Sequence, residues 1–261
     1  LRQKGESGLV AFITAGDPNL ETTAALVREF ERVGVDVVEL GVPFSDPLAD
    51  GPTIQAASER ALKVGTTVEG VLALVAGLRG EGVEIPVVLM TYYNPMLQFG
   101  LERFAQACAD AGVDGIIATD LPPEEGGKWI SAARAHKVDT IFLLAPTSTD
   151  ARVEAVAKAT TGFIYCVARM GVTGARDAVP EELGELVRRI RQHTQTPIAA
   201  GFGFSKPEHV HIAGRQLGAD AVVVGSAIVS LIAENAASDE LVEKVSAFVS
   251  ELKKATRNNG G

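Results

Sequence analysis

Glu39 lies near the end of the apolar run VDVVELG, where a charged residue is out of place. Burying a carboxylate without a partner costs several kcal/mol. A group kept there at that cost is a candidate for acid–base chemistry. The alternative is an ion pair that closes the fold, yet no Lys or Arg occurs in the strand-like runs to supply it. The segment that follows, GVPFSDPLADGPTIQAASERA, holds three prolines, three acidic residues and two glycines. Long ordered loops of this kind tend to be functional. Within it, Asp46 and Asp50 are either further chemical carboxylates or caps for the helix that begins near Thr53.

A second group of residues suits a phosphate. Gly171-Val-Thr-Gly174, Gly201-Phe-Gly203 and Gly225-Ser226 each follow an apolar run, and Ser226-Ala-Ile-Val can open a helix. Glycine lets backbone N–H groups approach an anion, and a helix N-terminus adds its dipole. One such cluster is weak, because turns use glycine freely. Three in corresponding places are not.

The absences narrow the chemistry. No strand offers a Lys for a Schiff base or a His for a metal. His209 and His211 are two apart on a predicted helix and face different ways, and His136 and His193 fall near helix ends. Cys108 and Cys166 sit in apolar surroundings without metal-ligand spacing, as reduced core residues do. No metal site is expected. Trp129 reads as outer packing.

The elements that must position these groups are legible as alternation. Strands are predicted near 9–15, 35–40, 86–91, 114–118, 138–144, 163–167, 197–200 and 220–224. Runs such as VDVVEL, IPVVLM and DAVVVG are apolar on both sides of the pleat, as in a parallel sheet covered on both faces. Between them, NLETTAALVREFERVG, GLERFAQACADAG and VPEELGELVRRIRQ carry helical spacing, and the stretch from Ser238 to Thr256 reads as one more helix. Eight strand–helix units in 261 residues predict a single α/β domain over 1–261, a (β/α)8 TIM barrel. The glycine clusters then follow strands six, seven and eight, at the strand ends where this fold keeps its chemistry. The phrases GVD or GAD at 34–36, 112–114 and 218–220 mark helix-to-strand turns repeating around the ring.

Composition excludes other classes. A net charge of −9 argues against nucleic acid, which needs a basic face. No apolar run reaches the roughly 18 residues of a membrane span, so no membrane partner is expected. The opening LRQKGESG has no signal-like apolar segment, which makes the cytoplasm the expected location.

The segments ITAGDP, VELGVPFSDPLADGPTIQ, LMTYYNP, GVTGAR, GFGFS and GSAIV closely resemble the tryptophan synthase alpha subunit family, over nearly the whole chain. The resemblance implies a lyase of tryptophan biosynthesis that splits indole-3-glycerol phosphate into indole and glyceraldehyde 3-phosphate by retro-aldol cleavage. Protonating indole C3 makes the ring the electron sink, which accounts for the missing lysine. The matching motifs make Glu39 the acid for C3 and the base for the glycerol hydroxyl, with Asp50 holding the indole N–H. They place Phe12, Ile54, Tyr92, Tyr165 and Phe202 in the indole pocket, although core packing competes for each. Thr173 would sit on a closing loop that orients Asp50, and Gly174, Gly203, Gly225 and Ser226 would cradle the phosphate.

The family works as a heterotetramer with a beta subunit. The resemblance implies docking through Asp46, Pro47, Asn94 and Pro95, with Phe44 on a partly apolar patch. Pyridoxal phosphate belongs to that partner, and no cofactor is expected in this chain. Two departures stand out. Only LRQKGES precedes Gly8, where the family carries a further helix, and Met170 replaces a small hydroxyl residue. Alternative functions are an autonomous indole-releasing lyase, or a barrel that mainly activates its partner and cleaves weakly.

Overall fold

The computed structural model describes residues 6–167, 181–201 and 203–257. The expectations for Met170, Thr173, Gly174 and Phe202 lie outside the described residues. Among the described residues nine parallel strands form one sheet in the order β5-β4-β3-β2-β1-β9-β8-β7-β6. They are β1 (Gly8–Thr14), β2 (Val37–Gly41), β3 (Val87–Thr91), β4 (Gly115–Ala118), β5 (Asp139–Ile141), β6 (Leu143–Leu144), β7 (Ile164–Val167), β8 (Ile198–Gly201) and β9 (Ala221–Val224). Only Phe142 separates β5 from β6, and its carbonyl still accepts the Tyr165 N–H at 3.0 Å. The two ends of the order are therefore halves of one strand. The sheet closes as an eight-position barrel, and predicted strands six, seven and eight are β7, β8 and β9.

Helices cover the outside, among them α1 (Leu20–Val33), α2 (Pro52–Lys63), α3 (Val68–Gly80), α4 (Tyr93–Phe99), α5 (Leu101–Ala111), α6 (Gly127–Ala135), α7 (Asp150–Ala159), α8 (Glu181–Arg191), α9 (Pro207–Gln216), α10 (Ser226–Glu234) and α11 (Leu241–Ala255). In α1 the Asn19 side chain caps the Thr22 N–H at 2.8 Å, and Gly34 ends the helix at φ +85°. Its buried face, Leu26, Val27 and Phe30, contributes roughly 1.5–3 kcal/mol per side chain. Trp129 on α6 is buried against Phe104 of α5, as outer packing. Cys108 and Cys166 are free and buried. Among the described residues no single helix is long and apolar enough to cross a membrane.

The Gly-x-Asp repeats fasten the lower rim. Gly34, Gly112 and Gly218 all have positive φ, which lets each helix turn back into a strand. The following Asp36, Asp114 and Asp220 accept the N–H of Leu9, Val87 and Ile198, at 2.7, 2.7 and 2.8 Å, on the neighbouring strands β1, β3 and β8. Each carboxylate also meets a cation from an outer helix: Lys253 on α11, Arg79 on α3 or Arg191 on α8. Before β7 the Thr161 hydroxyl replaces the carboxylate and accepts the Thr140 N–H at 2.9 Å. The bottom of the barrel thus repeats one device at every second strand.

Candidate active site

At the opposite end, the C-terminal edges of the strands surround a cavity of about 1040 Å³. Glu39 stands at its wall, brought there by β2 in register with Phe12 of β1 and Val88 of β3. The residue is 0% exposed, and neither carboxylate oxygen has a hydrogen-bond partner. Burial, with a smaller push from the neighbouring Asp50 charge, raises its pKa to about 8. Glu39 is therefore a neutral acid at pH 7, ready to donate a proton. The alternative of an ion pair closing the barrel does not hold.

Asp50 reaches the same cavity from the loop after β2. It caps nothing: Gly51 is the N-cap of α2 and makes no side-chain cap bond. The backbone is held instead, with the Asp50 N–H donating to Pro47 O at 3.1 Å and Gln55 Nε2 donating to Asp50 O at 2.9 Å. Burial raises the Asp50 pKa to about 6, against a hydrogen bond from Tyr92 that lowers it. Two carboxyls with separated pKa values, the higher one an acid and the lower one a carboxylate, are the arrangement acid–base chemistry needs.

Phe12, Ile54 and Tyr165 line the cavity with Glu39 and Asp50. Tyr92 does not. It sits behind the loop, where its hydroxyl accepts the Ala49 N–H at 2.9 Å and its ring packs on Phe44 at 5.2 Å. Its phenol is pushed up to about 12 by burial and then by the Asp50 charge. Tyr92 is a prop for Asp50, and the half-buried Phe44 packs on its ring. Leu48 on this loop is an exposed apolar group, 79% accessible, beside exposed Asp46 and half-buried Pro47. Asn94 is exposed and Pro95 half-buried in the first turn of α4.

The strand-end glycines have two jobs. A Cβ on Gly201 would fall 2.6 Å from Tyr165 Cε1, and one on Gly41 would fall 2.8 Å from Phe12 Cζ. These glycines make room for the two rings. Gly225 combines both tasks: a Cβ there would approach Phe12 within 3.1 Å, and it also precedes Ser226 at the start of α10. That helix has no side-chain cap at its N-terminus, so its first amides are available to an anion. Gly203, at φ +70°, and Ser226 also line the cavity.

Several wall residues escaped the sequence. Met90, Ile117, Leu143 and Val223 complete the apolar lining, and Thr119, Thr147, Thr149, Arg152 and Glu182 stand around it. Glu39 already marks the inward face of β2, so counting alternate residues across the register would have found the first four. Nothing in the sequence marks the rim. Among the described residues no Lys lines the cavity, and no three His, Cys, Asp or Glu side chains converge on a metal position.

A family profile described as Tryptophan synthase alpha chain matches residues 1–257. The tryptophan synthase alpha chain of Geotalea uraniireducens is 50% identical over 262 residues, spanning 100% of this chain and 96% of the relative. That of Solibacter usitatus is 48% identical, spanning 97% and 94%. Among solved structures, tryptophan synthase from Mycobacterium tuberculosis matches with a TM-score of 0.87 at 36% identity, over 98% and 95% of the two chains. The tryptophan synthase complex from Pyrococcus furiosus gives 0.86 at 37% identity, over 95% and 98%. Similar in sequence and in fold over nearly its whole length, the chain belongs to the tryptophan synthase alpha chain family.

Proposed function

We propose that this chain cleaves indole-3-glycerol phosphate to indole and glyceraldehyde 3-phosphate, the lyase reaction of its family, with Glu39 and Asp50 as the catalytic pair. The observation that carries this reading is Glu39 itself: buried, without a hydrogen-bond partner, protonated at neutral pH and facing one cavity with an acidic neighbour. Glu39 gives its proton to indole C3, and Asp50 accepts the ring N–H and stabilises the positive charge arriving on it. The bond from C3 to the glycerol chain then breaks, and its electron pair returns to the ring. Glu39, now a carboxylate, takes the proton of the hydroxyl on the departing carbon as that carbon becomes the aldehyde. The proton given to C3 stays on indole, and the hydroxyl proton restores the acid.

Phe12, Ile54 and Tyr165 would hold the indole, with Phe202 beside them and Tyr92 acting through Asp50. Gly203, Gly225 and Ser226, with Gly174, would take the phosphate, and Thr173 would orient Asp50. Residues 1–261 are read as a single barrel domain, working in the cytoplasm within a heterotetramer. The partner is a tryptophan synthase beta subunit carrying pyridoxal phosphate, docked on Asp46, Pro47, Asn94 and Pro95, and exposed Leu48 supports that face.

The test is indole release from indole-3-glycerol phosphate by the purified chain, with and without a beta subunit. Slow release that the partner accelerates strongly is expected. Fast release indifferent to the partner would favour an autonomous lyase. No release in either condition would remove the reading.

A further inference from the structure

The loop between β6 and α7 forms one side of the cavity rim, and its shape is fixed by several bonds. Ser148 Oγ accepts the Ala145 N–H at 3.0 Å, and the Ser148 N–H returns to Ala145 O at 2.8 Å. From α8, Arg189 donates to Ser148 O at 2.6 Å and pairs with Asp150 at 2.7 Å. Thr149 caps α7 by accepting the Arg152 N–H at 3.3 Å. This scaffold sets Arg152, in the first turn of α7, against the cavity.

Among the described lining residues Arg152 is the only cation, whereas Asp50 and Glu182 are acidic and the buried Glu39 is held neutral. The whole chain carries −9. A phosphate dianion nearing such an opening meets repulsion unless a local positive charge reverses it. Arg152 Nη1 rests 3.0 Å from Glu124 Oε2 on the loop after β4. The side chains of both are exposed, at 40% and 53%, and an exposed pair of this kind is worth little. The guanidinium can exchange that carboxylate for two phosphate oxygens, which its planar fork fits well.

We propose that Arg152 is an anion-recognition residue of the cavity rim, which attracts the phosphate end of substrate and product as it enters the cavity that the glycines also line. The inference rests on the cleavage reaction proposed above and adds an attraction that acts on binding rather than on the bond-breaking step. Glu124 is its resting partner and moderates its charge.

The experiment compares Arg152→Gln, Arg152→Lys and Glu124→Gln in the full chain with a beta subunit, measuring cleavage kinetics and inhibition by glycerol 3-phosphate and by indole. Arg152→Gln should raise the KM for substrate and the Ki of glycerol 3-phosphate by about 5- to 10-fold, and flatten their dependence on salt. Its kcat and the Ki of uncharged indole should stay within about twofold. Arg152→Lys should fall between, and Glu124→Gln should tighten both anions. An unchanged KM at low salt would overturn the proposal. A parallel weakening of indole would also overturn it, by showing a rim that has merely been disturbed. Calorimetric binding of glycerol 3-phosphate to the wild type and to Arg152→Gln needs no turnover. If the wild type proves inactive, equal affinities there still reject the role of Arg152, while the inactivity counts against the cleavage reading alone.

Discussion

At the scale of the residue, the buried carboxyl of Glu39 couples catalysis to stability. A donor with a pKa of about 8 beside a carboxylate with one of about 6 predicts a bell-shaped kcat/KM, falling below pH 6 and above pH 8. Asp50→Asn should remove the acid limb, and Glu39→Gln should lower kcat by at least about 100-fold with binding little changed. A Glu39→Gln enzyme with near-normal kcat would exclude Glu39 from the mechanism. The same residue predicts a stability effect of opposite sign. Its pKa rises from 4.5 unfolded to about 8 folded, so its contribution is fully present below pH 4.5 and lost as pH rises through 8. Gln stays neutral throughout. Glu39→Gln should therefore match the wild type near pH 5 and exceed it increasingly toward pH 8.5, by several kcal/mol at about 1.4 kcal/mol per pKa unit. Urea melts across that range would refute the burial argument if the two proteins stayed parallel.

At the scale of the element, α2 carries much of the site. It follows Asp50 directly, presents Ile54 to the cavity and packs Ala57 beside Phe12 and Val229. One buried contact pins its far half to the loop after β1: Arg60 donates to both oxygens of Asp17, at 2.8 and 2.7 Å, with Asp17 only 2% exposed. Arg60→Met should cost about 2 kcal/mol, less than a fully buried pair because a third of the guanidinium side remains in water. Adding Asp17→Asn should restore part of the loss, since it removes the stranded charge. Strictly additive costs in that double-mutant cycle would mean the pair is not coupled. These elements differed in how legible they were. Strand ends fell within a residue or two because glycines and β-branched runs punctuate them, as at Gly34 and at the end of DAVVVG. The break at Phe142 carries no Gly or Pro to signal it. The place of Tyr92 is not legible, because a tyrosine just beyond a strand looks the same whether it faces the cavity or the back of a loop. In sequence Arg152 is indistinguishable from any cation on a solvated helix, since its meaning depends on a rim assembled from three separate loops and helices.

At the scale of the whole molecule, the two ends of the barrel divide the work. The upper end tolerates an unbonded acid, glycines with rings in their place and long loops, all of which spend stability on chemistry. The lower end is where bonds are dense. Arg79 alone donates to Gly112 O, Val83 O and Ile85 O, and to Asp114, which in turn holds the first N–H of β3. Replacing it by Leu leaves three carbonyls and a carboxylate without that partner. The expected loss is about 3 kcal/mol, reduced from the sum of the bonds because Asp114 is half exposed and water can replace part of what is removed. For a chain of this length that lowers Tm by roughly 6–12 °C. The cavity lies at the other end, so kcat and KM at 25 °C should be those of the wild type as long as the variant is folded. Thermal melts and kinetics on one preparation decide it. Full stability with impaired kcat would mean that the ends are coupled through the strands, and the division of labour between them would have to be given up.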